Sequence, residues 1–101
     1  MRYEMMLPYQ IRQAIEENWP VVLPLGVLEY HGEHLAVGLD TLVVVRVLER
    51  LGQARNIVIL TAFYYGAGSY VVEGPEGNGK VQVDTDALAA VGVHLIRCLL
   101  L

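Results

Sequence analysis

The chain has 101 residues, 54% of them hydrophobic, and a formal net charge of −4 at pH 7. A chain of this length forms one small domain, and its apolar content, with a mean hydropathy of +0.42, excludes intrinsic disorder. The acidic balance, with no run of Lys or Arg, excludes a nucleic-acid-binding surface, because binding to phosphates depends on clustered cations.

The cysteine content and the hydropathy of the chain exclude further classes of protein. The single cysteine, Cys98, excludes an internal disulfide and a cysteine-rich zinc site. The N-terminal segment lacks the continuous apolar stretch of a signal peptide. The longest uncharged segment, residues 56–72, is interrupted by glycines and polar residues, so we predict no membrane span. We therefore expect a cytoplasmic protein.

The first predicted elements are a helix and a short strand. The helix covers residues 8–18, since Pro8 suits a first helical turn and the apolar residues that follow fall on one side. Pro20 ends any helix, and the β-branched run VVLPL, residues 21–25, is typical of a buried strand.

A second helix and a second strand follow. The helix is predicted over residues 41–51, opened by Asp40 and closed by Gly52 at its C-cap. Its apolar residues run almost all the way round, so we expect both sides to be covered. NIVIL, residues 56–60, is typical of another buried strand. The order strand, loop, helix, strand predicts a βαβ unit of a parallel sheet.

The rest of the chain is predicted to form a loop and a last helix. Residues 63–79 are rich in glycine and predict a loop, followed by a short extended piece at residues 80–84. Asp84 or Thr85 then caps the helix. Its end carries no stop signal, which suggests a chain cut within a larger fold.

The polar stretch LEYHGEHLAVGLD, residues 28–40, follows the first strand and holds the main candidate site. Ligands of open α/β sheets bind beyond the carboxyl ends of the strands, where this stretch is expected to lie. Glu29 and His31 are two residues apart and point the same way in extended backbone, while Asp40 lies at the helix start. Carboxylate and imidazole ligands suit Zn²⁺ or Mn²⁺.

The residues alone leave a second interpretation of this stretch open. In it, Asp40 is only the N-cap of the second helix. His34 is then a histidine with satisfied hydrogen bonds rather than a ligand. Spacing does not decide between a metal site and a polar loop.

The segment PLGVLEYHGEHLAVGLD, residues 24–40, resembles the signature of the creatininase (creatinine amidohydrolase) family. The family pattern is Pro-x-Gly-x-x-Glu-x-His-Gly-x-His-Leu-x-x-x-x-Asp. It is met here by Pro24, Gly26, Glu29, His31, Gly32, His34, Leu35 and Asp40. Weaker similarity extends over nearly the whole chain.

The resemblance implies a three-layer α/β/α fold with a mainly parallel sheet, of which residues 1–101 are the N-terminal part, cut within the last helix. It implies a metal-dependent hydrolase that uses metal-activated water to cleave a carbon–nitrogen bond outside peptides, in a small or cyclic amide. In the family, the position of Glu29 binds one of two metal ions, that of His31 binds the other, and that of Asp40 bridges them. Zinc or manganese, a small-molecule amide substrate and a homo-oligomer are implied in the same way.

Further positions carry weaker expectations. His34 is expected to orient the loop or a ligand, or to bind metal itself. Tyr65, Gly66 and Ser69 belong to a loop that borders the substrate in the family. The family's Phe-Pro-Gly-Thr segment is replaced by GPEGNGKVQV, residues 74–83, which argues against creatinine as the substrate and indicates a divergent branch.

A second hypothesis comes from the incomplete ligand set. Family members are more than twice as long, and a histidine and a carboxylate beyond their third strand have no counterpart here. The chain is then a non-catalytic remnant or an assembly subunit that docks a partner through its apolar last helix. As 101 residues it is expected to bind metal weakly and to be inactive.

Overall fold

The computed structural model of the protein describes residues 1–66, 71 and 83–100. The chain forms, in order, a 3₁₀ turn at Tyr3–Met5, helix α1 at Pro8–Glu16, strand β1 at Val21–Val22, helix α2 at Leu39–Ala54, strand β2 at Val58–Ile59 and helix α3 at Thr85–Leu100. The predicted order of helix, strand, helix, strand and helix is confirmed. Within the described ranges, no helix combines the length and the apolarity that crossing a membrane requires.

The two strands form a parallel pair, as predicted. Val21 lies opposite Val58, and Val22 lies opposite Ile59. Both strands are shorter than the apolar runs that predicted them, but their pairing resumes further on. Phe63 N donates to Pro24 O at 3.0 Å, and Gly26 N donates to Phe63 O at 3.0 Å.

The first residues of the chain line the other edge of β2. Ile59 N donates to Met1 O at 2.8 Å, whereas the neighbouring Leu60 N donates to Val22 O at 2.9 Å, on the β1 side. Successive backbone amides of a strand point to opposite edges, so the N-terminal segment and β1 flank β2. An isolated parallel bridge between Arg2 and Ile59 continues this pairing.

Alternate residues of β2 and its flanks face two different layers. Val58 and Leu60 join Met6 and Ala14 of the N-terminal helical region in one buried cluster. Ile57 and Ile59 are also buried, and their side chains approach the α2 backbone near Gly52. Because side chains alternate across a strand, α1 and α2 cover opposite faces of the sheet. This is the three-layer α/β/α arrangement that was expected.

Helix α1 ends earlier than predicted. Asn18 has a φ of 53°, and Trp19 N and Asn18 N donate to Ala14 O and Ile15 O, at 2.9 and 3.1 Å. These two bonds with a left-handed residue after the helix form a Schellman motif, which asparagine accommodates. The helix therefore stops at Glu16, before Pro20 can interrupt it.

Helix α2 is longer than predicted at both ends. It begins at Leu39 with Gly38 as N-cap, and it continues to Ala54 with Arg55 as C-cap. The prediction that Gly52 closes the helix was wrong, because the sheet packs against this glycine. A Cβ there would lie 3.6 Å from Ile59 Cδ1.

The expectation that both sides of α2 are covered is also wrong for this chain. Large apolar side chains of the helix are exposed, namely Leu42, Val43, Val44, Val47 and Leu51. The last helix, α3, is similar, with Val91, Val93, Ile96 and Leu99 exposed.

The start of α3 matches its prediction. Asp84 Oδ2 accepts hydrogen bonds from Asp86 N and Ala87 N, both at 3.1 Å, so Asp84 is the N-cap. Most of the predicted loop at residues 63–79 and of the extended piece at residues 80–84 lies outside the described residues.

Candidate metal centre

Three of the predicted ligands come together beyond the carboxyl end of β1. Glu29, His31 and Asp40 each offer one ligand atom, and these atoms all lie within 4.8 Å of one another. His31 Nε2 is 2.8 Å from Asp40 Oδ2 and 3.8 Å from Glu29 Oε2. The imidazole therefore lies within reach of both carboxylates.

Backbone contacts close the loop that carries Glu29 and His31. Glu29 N donates to Val37 O at 2.8 Å, which brings the start of the loop to its end. Gly32, at the turn, has a φ of 89°, a left-handed conformation that favours glycine. The chain thus returns to the sheet and enters α2 next to the residues it left.

Asp40 belongs to the first turn of α2 rather than to its cap. The N-cap is Gly38, and Asp40 directs its carboxylate toward His31 Nε2. The interpretation of Asp40 as only an N-cap is therefore wrong. Its place in the first turn still matters, because the helix macrodipole favours negative charge there.

The exposure of the three side chains leaves them reachable from solvent. Side-chain exposure is 52% for Glu29, 23% for His31 and 42% for Asp40. Two carboxylates beside one imidazole concentrate negative charge, which a cation offsets. The cluster is thus electrostatically suited to a cation and open to a small molecule.

The distances can be compared with those of a bound metal ion. Zinc lies about 2.0–2.2 Å from nitrogen and oxygen ligands, so two ligands at a tetrahedral angle are about 3.4 Å apart. The distances of 2.8 and 3.8 Å from His31 Nε2 to the two carboxylates bracket this value. Since all three ligand atoms lie within 4.8 Å of one another, side-chain movements alone would let them surround one ion, and the donor set fits a divalent metal.

The other predicted site residues are His34, Tyr65, Gly66 and Ser69. His34 is exposed and is not among the clustered ligands of residues 1–66, 71 and 83–100. Tyr65 is 53% exposed. Gly66 is buried, and a Cβ there would lie 2.7 Å from Val27 Cγ1, so this segment borders the chain that leads to Glu29. Ser69 lies outside the described residues.

The structure also draws attention to Thr41, which sequence reasoning treated only as a helix residue. Its exposure is 0%, and its hydroxyl donates to Phe63 O at 3.5 Å. A signal was present in the sequence, since Thr41 is a polar residue between a candidate ligand and the apolar run of residues 42–45. Its contacts could not be read from the sequence.

Comparisons with known proteins match this geometry to one family. The family model described as "Creatininase: Creatinine amidohydrolase" matches residues 4–100. A crystal structure of creatinine amidohydrolase (creatininase) aligns with a TM-score of 0.84 and 23% identity, over 97% of this chain and 39% of that chain. No curated protein sequence matches the chain.

Two structures of creatininase variants, in which a tryptophan is replaced by alanine or phenylalanine, align equally well. Their TM-scores are 0.84 and 0.85, each at 22% identity and over 97% of this chain. At these identities the likeness shows the fold, and it confirms the predicted α/β class. The chain spans 39% of the length of these structures.

Proposed function

Because the chain belongs to the creatininase family, we propose that it carries part of a metal-dependent amidohydrolase site. Glu29, His31 and Asp40 hold the metal in this proposal. The observation that supports it most directly is the convergence of their ligand atoms to within 4.8 Å. The reaction we propose is hydrolysis of a carbon–nitrogen bond in a small, non-peptide amide, with zinc or manganese as cofactor.

Each side chain has a distinct part in the proposed site. His31 offers Nε2, the atom that now contacts Asp40, and a neutral imidazole binds divalent metals through such a nitrogen. Asp40 uses Oδ2 in that contact and has a second oxygen, Oδ1, so its carboxylate can serve two cations. Glu29 Oε2 lies 3.8 Å from the same nitrogen of His31. This arrangement supports a binuclear site with Asp40 as the bridge.

The chemistry needs a metal and access for the substrate. A metal ion held by these residues would supply an activated water and polarise an amide carbonyl. The half-exposed carboxylates of Glu29 and Asp40 leave the cluster open on one side. Tyr65 is exposed, and its neighbour Gly66 packs against Val27, two residues before Glu29, so we propose that Tyr65 contacts the substrate. Substrate and oligomeric state remain proposals, since the chain spans 39% of the length of the solved structures.

Metal titration of matched variants tests the ligand set. Zn²⁺ and Mn²⁺ affinities are measured by calorimetry for the wild-type protein and for Glu29→Gln, His31→Ala and Asp40→Asn. We expect each variant to lose at least about tenfold in affinity, with the largest loss for Asp40→Asn. Glu33→Gln is the control, because Glu33 is an exposed carboxylate of the same loop outside the cluster. Unchanged metal content in all three ligand variants would rule out the assignment.

A second candidate function is assembly with another subunit, and the exposed apolar surface favours it. Val43 and Val47 of α2 are exposed by 51% and 60%, and they lie one turn apart on the same face. Exposed apolar side chains in such number are typical of a protein interface. Sedimentation analysis distinguishes the outcomes: a homo-oligomer that Val47→Glu dissociates supports self-association, and a stable monomer contradicts it.

A further inference from the structure

The segment that leads to the cluster and the helix that follows it meet at Gly26 and Thr41. A Cβ on Gly26 would lie 2.0 Å from Thr41 Oγ1 and 2.8 Å from Thr41 Cα. No side chain can occupy that space, so glycine is required for α2 to approach the end of β1 this closely. Gly26 lies three residues before Glu29, and Thr41 directly follows Asp40. The contact therefore joins the two pieces of chain that carry the ligands.

A third segment meets the other two at the carbonyl oxygen of Phe63. Gly26 N donates to this oxygen at 3.0 Å, and Thr41 Oγ1 donates to it at 3.5 Å. The second bond is long and weak, so the close packing of Thr41 against Gly26 contributes more. Thr41 is nevertheless fully buried, and burying a hydroxyl without a partner carries a cost. The Phe63 carbonyl is the partner that the structure gives this buried hydroxyl.

The first turn of α2 begins without a side-chain cap. Its N-cap is Gly38, which has no side chain to bind the first amides, whereas Ser, Thr, Asp and Asn are preferred at this position. Metal ligands must be placed to within a few tenths of an ångström. A small shift or rotation of α2 would separate Asp40 from His31, which are now 2.8 Å apart.

We propose that Gly26 and Thr41 are a positioning pair that sets the first turn of α2, and so holds Asp40 against His31. This role rests on the metal site proposed above. Neither residue binds metal or touches the substrate in this proposal. Both act through the backbone that carries the ligands.

Substitutions at Thr41 separate the hydroxyl from the shape of the side chain. Thr41→Val replaces the hydroxyl by a methyl group, which is larger and pushes α2 away from Gly26. Thr41→Ser keeps the hydroxyl. Thr61→Val is the control, because this substitution makes the same chemical change at an exposed position.

Zn²⁺ affinity is measured by competition with a chromophoric chelator, and helix content by circular dichroism. We expect Thr41→Val to bind zinc about tenfold more weakly at unchanged helix content, while Thr41→Ser and Thr61→Val stay near the wild type. A purely structural role would lower the melting temperature of Thr41→Val and leave zinc affinity of the folded protein unchanged, which would overturn the proposal. If Thr41→Val does not fold, Thr41→Ala replaces it, since alanine fits without collision and favours a helix. A zinc affinity of Thr41→Ala equal to that of the wild type would also overturn the proposed role of the pair.

The same titration distinguishes the two proposals. If the wild-type protein binds no zinc, the metal site fails and the role of the pair fails with it. If the wild type binds zinc and Asp40→Asn does not, but Thr41→Val binds like the wild type, only the positioning pair is wrong. The NMR shift of His31 Nε2 in metal-free protein gives a second readout. It reports the contact with Asp40 and is expected to change in Thr41→Val and not in Thr61→Val.

Discussion

Helix α2 is closely packed near its start, whereas α3 is loosely packed, and two glycines allow this difference to be measured. Gly26, at the junction of β1 with α2, has no room for a Cβ because Thr41 fills the space. Gly92, in the middle of α3, has no heavy atom within 4 Å of such a Cβ among the described residues. The candidate ligands all lie on the tightly packed side of this comparison. The residues that we propose as metal ligands are thus carried by the region in which Gly26 and Thr41 are in close contact.

Alanine at the two glycines is the strongest test of this contrast. We expect Gly26→Ala to lower the free energy of unfolding by about 3 kcal/mol or more, because the new methyl group collides with the backbone of Thr41. Gly92→Ala is expected to stabilise the protein by about 0.5–1 kcal/mol, since alanine is the better helix former and nothing obstructs it. Urea denaturation measures both. Equal changes in the free energy of unfolding at the two positions would mean that Gly26 and Thr41 are not in close contact.

Truncations of apolar side chains extend the comparison from glycines to the core. Leu60, 6% exposed at the end of β2, belongs to the main buried cluster, whereas Val93 of α3 is 48% exposed. We expect Leu60→Ala to cost about 2–3 kcal/mol, the lower part of the range for leucine, because Leu60 lines an open cavity with Tyr3 and Leu99 that can close in part. Val93→Ala should stay within about 0.5 kcal/mol of the wild type. Thermal unfolding of the two variants measures these changes. A large loss of stability in Val93→Ala would indicate that α3 is covered in solution.

The N-cap of α3 gives a smaller and more local effect. Asp84 Oδ2 accepts from two amides of the first turn, so Asp84→Ala should cost about 1 kcal/mol. Asp84→Asn keeps an acceptor oxygen and is the matched control. Since α3 packs loosely, we expect the loss to show as faster amide hydrogen exchange in its first turn. Exchange in α2 should not change; a uniform increase in both helices would contradict the separation of the two regions.

Much of the fold follows from local sequence signals, and the exceptions have physical causes. Pro8 and Asp84 mark helix starts that the structure confirms, because each acts through its own backbone or side chain. Gly52 predicted a helix end and did not produce one, since packing against Ile59 outweighed the local preference of glycine. The start of α2 was placed late because Gly38 is a weak capping signal.

The candidate site was also predictable in part from local sequence signals. The order of elements puts Glu29, His31 and Asp40 at one edge of the sheet, and the structure brings them together. The contact between Gly26 and Thr41 joins residues far apart in sequence. It depends on how closely a helix approaches a strand, which composition and spacing do not specify.

The smallest expected effect concerns the C-terminal end of α1. This end is exposed and yet held by two side-chain hydrogen bonds. Glu17 accepts hydrogen bonds from Gln13 Nε2 at 2.8 Å and from Trp19 Nε1 at 2.7 Å. These bonds favour the ionised carboxylate, that from Gln13 most, and they lower the pKa of Glu17 below its usual value. The contribution of Glu17 to stability is therefore present above the ordinary pKa of glutamate and is lost as the pH falls through the lowered pKa.

We expect the carboxyl carbon of Glu17 to titrate in NMR spectra at lower pH than is usual for a glutamate, because of its lowered pKa. In Gln13→Ala, the pKa of Glu17 should rise toward its usual value, while the overall stability at neutral pH hardly changes because water screens an exposed group. A pKa of Glu17 that is insensitive to Gln13→Ala would mean that the hydrogen bond does not persist in solution. The end of α1 would then resemble the loosely packed α3 rather than the close contact at Gly26.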